Sequence, residues 1–226
     1  MKILAVDTAL GACSVAVLDG DAVPAHRFEI MERGHAEALA PMVQSAMREA
    51  EMEFAGLQRL AVTTGPGTFT GQRVGLAFMR GLRVALKLPL IGITSLDAMA
   101  AAAIAERGTP YSAALHDAKR GEVYVGMRSR EETIIEPALL PLGDAVEVAV
   151  RVMRNRPGTL AFAGTAGEAA CERYRSLGGR CEMSSILQPD ALWVARLAIG
   201  APEPEEIPRP LYLRPPDAKL PASRKA

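Results

Sequence analysis

The chain is poor in residues that usually grip a metal or staple a fold. Its three cysteines, Cys13, Cys171 and Cys181, are odd in number and form no C-x-x-C pair. Neither a disulfide framework nor a zinc knuckle is indicated, and a reducing compartment is expected. No motif links the three histidines, His26, His35 and His116, to a serine or cysteine, and G-x-S-x-G is missing, so no nucleophile is paired with a base. Net charge is lacking as well, since 26 basic and 26 acidic residues cancel. No strong overall field draws the chain to nucleic acid or an anionic membrane, although a local patch retains that capacity. Long apolar runs are also absent. Asp7 breaks the opening MKILAVDT before it reaches the length of a signal peptide's apolar region. The best candidate span, LPLIGITSLDAMAAAAIA, holds Pro89 and Asp97 and reads as strand, turn and helix. A cytosolic protein without membrane contact is expected.

What is present is enough chain for a substantial core: 226 residues suit one large domain or two small lobes sharing an interface. Residues 2–7, 13–18 and 22–30 are rich in apolar and β-branched residues separated by short turns and predict three antiparallel strands. From 36 to 50 the apolar positions Leu39, Met42, Val43, Ala46, Met47 and Ala50 recur at three- and four-residue spacing, which is an amphipathic helix. Pro41 lies inside it, so the regular helix either begins just before that residue or kinks there. A strand at 59–63, a helix at 72–86, a strand at 88–93 and an alanine-rich helix at 96–107 follow. This order makes a mixed sheet with helices packed on it. The second half restarts with strands at 111–116 and 122–127, then a helix at 144–155, a strand at 159–163, and helices at 167–176 and 189–199. The expected organisation is a first lobe over 1–107, a second over 108–200 whose last helix can pack back on the first, and a tail over 201–226. The tail holds seven of the 16 prolines and predicts an extended arm, docked through its LYL segment and disordered at its end.

Four stretches are candidate sites. In DTALGACS, Asp7, Thr8 and Ser14 suit a turn that orients hydrated Mg²⁺ and phosphate, and equally an ordinary hairpin turn. TTGPGTFTGQRVG, 63–75, lies between strand and helix, where backbone N–H groups hold phosphate. It lacks the lysine of a P-loop and does not match G-x-G-x-x-G. Its glycines continue into the helix as small residues four apart, Gly71 and Gly75, then Ala77, Gly81 and Ala85. An internal glycine costs a helix about 1 kcal/mol relative to alanine, so Gly75 and Gly81 point to close backbone approach, by the chain's own sheet or by another subunit. In HAEAL, His35 is followed one turn later by Leu39, which cannot ligate a metal, and a capping or interface histidine is the expectation. HDAKRGEVYVG gathers Asp117, Lys119, Arg120, Glu122 and Tyr124 at a hairpin, a place for binding residues or a solvated ion pair.

Taken together, ILAVDTALGACSVAVL, ERGHAEALAPMV, TTGPGTFTGQRVGLAFMRGL, IGITSLDAMA, DAKRGEVY and PLYLRPPDAK resemble the bacterial TsaB family, also called YeaZ, over residues 3–219. The resemblance implies an α/β fold of the actin/Hsp70/sugar-kinase (ASKHA) type, with two related lobes. It implies a noncatalytic scaffold in the formation of N6-threonylcarbamoyladenosine, at position 37 beside the anticodon of tRNAs reading codons that begin with A. It also implies pairing with the catalytic paralogue TsaD, which transfers the threonylcarbamoyl group from threonylcarbamoyl-adenylate, and recruitment of the ATPase TsaE. Contact with tRNA is then indirect, through the complex. A homodimer is implied when TsaD is absent. No cofactor is implied for the chain itself, and any ATP or ADP in the complex is supplied mainly by partner subunits. TsaD holds its metal with H-x-x-x-H, and this sequence has His35 and Leu39 at the equivalent place, so no metal is expected. Asp7, Thr8 and Ser14 become a degenerate nucleotide cleft. The pairing surface is expected to include His35, Leu39, Val43, Gly71, Arg73, Gly75, Phe78, Met79, Gly81 and Leu82, with leucine at Gly75 or Gly81 blocking pairing but not folding. Asp117, Arg120, Glu122 and Tyr124 form a partner- or ligand-facing patch. A stand-alone phosphotransferase or ATPase of the same superfamily, using Asp7 with Thr8, is the alternative; a glycopeptidase is weaker, for want of a metal or nucleophile.

Overall fold

The computed structural model describes residues 1–214. Strands β1 (Lys2–Asp7), β2 (Ala12–Asp19) and β3 (Ala22–Ile30) form a meander, followed by α1 (His35–Glu49), β4 (Arg59–Gly65), α2 (Phe69–Leu86), β5 (Leu90–Thr94) and α3 (Ser95–Arg107). The same order then repeats as β6 (Tyr111–Asp117), β7 (Glu122–Ser129), β8 (Thr133–Pro141), α4 (Leu142–Met153), β9 (Leu160–Ala163), α5 (Gly167–Ser176), β10 (Cys181–Met183) and α6 (Ala191–Gly200). The sheets have matching strand orders, β3-β2-β1-β4-β5 and β8-β7-β6-β9-β10. In each, the meander is antiparallel and the remaining pairings are parallel. The chain is a structural duplication, although no repeat is legible residue by residue.

Alternation along β1 shows how the layers form, because successive side chains point to opposite faces of a strand. Leu4 and Val6 join Leu39, Val43, Met47, Leu76 and Met79 in a core beneath α1 and α2. Ile3 and Ala5 face the other way and are covered by Ala191, Val194, Ala195 and Ala198 of α6. The last helix of the described residues therefore completes the first sheet. Reciprocally, α3 packs on β6, β7 and β9 of the second sheet and against α6. Alanine suits both helices because a small side chain lets a helix lie close between two sheets. Arg59 fixes the crossing: its buried Nη1 donates to the Ala198 and Ala201 carbonyls, at 2.6 and 2.8 Å, at the end of α6.

Two strands, β8 and β10, were not expected. Pro137 within TIIEPALLP demotes a strand pattern, and the structure places that strand at the sheet edge, where a proline is tolerated. β10 is only three residues long. Pro41 neither starts nor ends α1, which runs through it. Pro41 and Glu37, whose carbonyl loses its helical donor, both lie on the exposed side, where water can satisfy that carbonyl.

The tail docks as an extended strap. The Leu211 amide donates to the Thr64 carbonyl at 2.8 Å, and Arg80 Nη2 donates to the Pro208 carbonyl at 2.5 Å. Tyr212 stacks on Phe69 with ring centroids 5.4 Å apart. Arg214 then reaches the second lobe, donating to the Ala118 carbonyl at 2.7 Å and pairing with Glu122 at 2.6 Å. The disorder expected for the last tail residues lies outside the described residues. Among the described residues, no helix is long and apolar enough to cross a membrane.

Candidate functional site

The turn between β1 and β2 is closed on every side by its own chain. Asp7 has no exposed surface. Its Oδ1 accepts from Thr63 Oγ1 at 2.6 Å and from the Ala9 amide at 3.2 Å, while Oδ2 is buried without a hydrogen-bond partner. Burial pushes its pKa up to about 7, against the pull of the Thr63 and Ala9 hydrogen bonds and helped by the negative charge of Asp190. The Thr8 hydroxyl donates to the Gly71 carbonyl at 2.7 Å and accepts from the Gly75 amide at 3.0 Å. Ser14 Oγ accepts from the Ala191 amide at 2.8 Å and holds the start of α6. The Ala9 carbonyl accepts from the Thr68 amide at 2.8 Å, and the Gly11 amide donates to Gln188 at 2.9 Å. A hydrated Mg²⁺ with phosphate needs a carboxylate oxygen within reach of solvent, and Asp7 is sealed from it. These residues do not fit that ligand.

His35 is nine-tenths buried, and its Nε2 lies 3.1 Å from the Leu10 carbonyl. A carbonyl only accepts, so Nε2 carries the hydrogen and has no lone pair for a metal. Leu39, one turn on, is 1 % exposed in the first-lobe core. Among the described residues, no three His, Cys, Asp or Glu side chains converge as a metal site.

The expected pairing surface requires correction. Leu39, Val43, Gly71, Gly75 and Met79 are buried within the first lobe, because the apolar stripe of an amphipathic helix faces its own sheet. The small residues of α2 divide between two faces. Gly71 and Gly75 lie inward, and a Cβ on Gly75 would stand 2.8 Å from Thr8 Oγ1, so leucine there cannot leave the fold intact. Ala77, Gly81 and Ala85 are exposed beside Val84, and a Cβ on Gly81 meets nothing within 4 Å. Phe78 and Leu82 are half-buried at the flank of this ridge. Arg73 is exposed but engaged by the tail, its Nε donating to the Tyr212 hydroxyl at 2.8 Å.

The second-lobe patch is a clamped turn. Lys119, Arg120 and Gly121 have φ of 65, 60 and 75°, three successive left-handed residues. The Lys119 amide and ammonium hold the Asp117 carboxyl below its usual range, and Glu122 is tied to Arg214. Tyr124 is half-buried, packed beside Leu96 and Met99 of α3. Its neighbour across the strands, His116, is driven to a pKa of about 4 by burial, with Nδ1 unpartnered.

Sequence reasoning missed Gln188, Asp190 and Arg214, and within the candidate loop 63–75 it did not single out Thr63 or Thr68, which bond to Asp7 and Ala9. Asp190 carried a signal: aspartate before an apolar helical run is an N-cap, and its Oδ1 accepts from the Leu192 amide at 2.8 Å and pairs with His26 at 2.8 Å. Gln188 and Arg214 carried none, since they act across 177 and 96 residues of chain.

Comparison with known proteins agrees with this architecture. The family model described as "TsaD: tRNA N6-adenosine threonylcarbamoyltransferase" matches residues 27–180. The chain is 34% identical to the tRNA threonylcarbamoyladenosine biosynthesis protein TsaB of Escherichia coli K12, over 95% of both chains, and 32% identical to TsaB of Haemophilus influenzae, over 95% of this chain and 94% of that one. The structure of YeaZ from Pseudomonas aeruginosa superposes with a TM-score of 0.76 at 30% identity, covering 94% of this chain and 99% of that one. The ROK hexokinase of Thermus thermophilus superposes with a TM-score of 0.53 at 18% identity, over 88% of this chain and 100% of that one, and shares the fold alone. The duplicated sheets, each completed by a helix of the other half, are thus an ASKHA-like fold, and the chain belongs to the TsaB (YeaZ) family.

Proposed function

We propose that this chain is a noncatalytic subunit of the cytoplasmic machinery that forms N6-threonylcarbamoyladenosine on tRNA, pairing with a TsaD-type transferase and activating it. The biosynthetic role follows from membership of a family whose named relatives are tRNA threonylcarbamoyladenosine biosynthesis proteins. The supporting role is carried by His35: its Nε2 is engaged with the Leu10 carbonyl, and the side chain one turn on is a leucine sealed in the core. A chain so built contributes a surface rather than a reacting group. The exposed ridge of α2, Ala77, Gly81, Val84 and Ala85 with Phe78 and Leu82 beside it, is the pairing surface, since small residues let another helix approach closely. A second copy takes the same place when the transferase is absent. TsaE joins this pair, and any nucleotide in the assembly is held mainly by the partner subunits.

The test is reconstitution with threonylcarbamoyl-adenylate, a substrate tRNA and a TsaD-type transferase. Modified adenosine is expected with both proteins and not with this chain alone. Modification by this chain alone, or full transferase activity without it, overturns the reading.

A further inference from the structure

Although the chain is neutral overall, its charge is unevenly spread. Between residues 151 and 180 stand six arginines, Arg151, Arg154, Arg156, Arg173, Arg175 and Arg180, with no lysine and two carboxylates, Glu168 and Glu172. All six arginines are exposed. Of these six, only Arg173 has a carboxylate of the described residues within ion-pair reach, Glu147 at 3.7 Å. Arg156 and Arg175 donate to the carbonyls of Val152 and Cys181, which orients these side chains and leaves their charge uncompensated.

The fold gathers three of these, Arg154, Arg156 and Arg180, at one end of the second lobe, while Arg173 reaches back to Gly143 and Glu147 near the start of α4. The C-termini of α4 and α5 lie side by side there, around a cavity of about 260 Å³ rimmed by Arg154, Arg156 and Arg180. Organic ligands occupy cavities of roughly 300–1,000 Å³, so this notch suits a phosphate group and its sugar. Arginines in the last turn of a helix offset its partial negative charge, which accounts for Arg151, Arg173 and Arg175. Two helix ends supply only about one negative charge together, well short of the excess, and the three arginines on the rim stand beyond the last turns. Tyr174 is 4 % exposed, so no ring is offered for stacking on a base. Planar guanidinium groups match phosphate oxygens in a fork that lysine cannot form. The notch belongs to the layer on the opposite face of the second sheet from α3: on β6, Leu115 points to the α4–α5 core and Ala114 to α3. Pairing through α2 leaves it open.

We propose that this arginine notch binds the phosphate backbone of folded RNA, reading charge and shape rather than sequence. It rests on the proposed function for the identity of that RNA, the tRNA being modified. The test uses the full chain, alone and with the transferase, and the anisotropy of a labelled tRNA transcript across a salt series. R154E/R156E/R180E is expected to weaken binding by about tenfold or more near 0.1 M salt and to lower the log–log salt slope by about two to three, with lysine at the same positions retaining most affinity. Unchanged thermal unfolding and unchanged co-elution with the transferase are expected alongside; if the triple variant does not fold, R154E and R180E are measured singly, each expected to lower the slope by about one. Equal affinity in wild type and variant overturns the proposal. So does loss of transferase co-elution with RNA affinity intact, which would make the notch a protein contact. RNA binding through the notch by a chain that does not pair with the transferase keeps this inference and removes the proposed function.

Discussion

The Nε2 of His35 and the carbonyl oxygen of Leu10 lie 3.1 Å apart, joining the first residue of α1 to the turn between β1 and β2. The imidazole serves as a tie between two elements. Leu39→His restores the two-histidine spacing on paper but inserts a polar ring among Val43, Met47 and Met79. It is expected to destabilise the protein by about 2–5 kcal/mol, as large core deletions do, and to gain no affinity for Zn²⁺ or Fe²⁺ in titration calorimetry. Micromolar metal affinity in a cooperatively folding variant would contradict this packing.

Gly75 and Gly81, six residues apart on one helix, answer to different neighbours. Gly75→Ala forces a methyl group against Thr8 Oγ1 and is expected to cost about 1–3 kcal/mol in urea unfolding. Gly81→Ala meets open space and is expected to stabilise by up to about 1 kcal/mol. Gly81→Leu should fold normally and fail to co-elute with the transferase. Unimpaired co-elution would remove α2 from the pairing surface.

Asp7 makes stability fall as pH rises. Its folded pKa is about 7 against an ordinary value of 3.8, so between those values the folded state binds a proton that the unfolded state has released. His116, with a folded pKa of about 4, works in the opposite direction between pH 4 and 6.5, because the unfolded state gains a proton there that the folded state refuses. The two slopes oppose one another. Asp7→Asn is therefore expected to make Tm rise more steeply from pH 4 to 6.5 and to flatten it from 6.5 to 7.5. An unchanged Tm-versus-pH curve would place the proton elsewhere.

Arg59 ties the first sheet to the end of α6 through carbonyls 139 and 142 residues away in sequence. Arg59→Met keeps the stem and removes the donors, and is expected to lose about 1.5–3 kcal/mol, the range for hydrogen bonds to a charged group. Arg196→Met, with its guanidinium over the Trp193 ring, is expected to change stability by under about 1 kcal/mol and serves as the comparison.

Much of the fold is legible because the signals are local. Short apolar and β-branched runs bounded by turns mark β1 and β2, and helical spacing fixes α1. The segment 167–176 coincides with α5. The site is less legible for a physical reason: the period of Leu39, Val43 and Met79 marks one face of a helix without saying whether the chain's own sheet or another protein covers it. The glycines of α2 announced a close approach, and at Gly75 that approach is made by Thr8. The clasp of Arg214 on Ala118 and Glu122 depends on chain closure that no local pattern encodes.

The exchange of α3 and α6 between the halves also has a cost in time. Ribosomes release a polypeptide from its N-terminus, so Ile3, Ala5, Ala16 and Leu18 lack the cover of Ala191, Val194, Ala195 and Ala198 until α6 emerges. Residues 191–200 must be made before the earliest strands are sheltered. A fragment ending after α3 would carry that greasy sheet permanently and aggregate, which makes dissection into halves a poor route to studying either one.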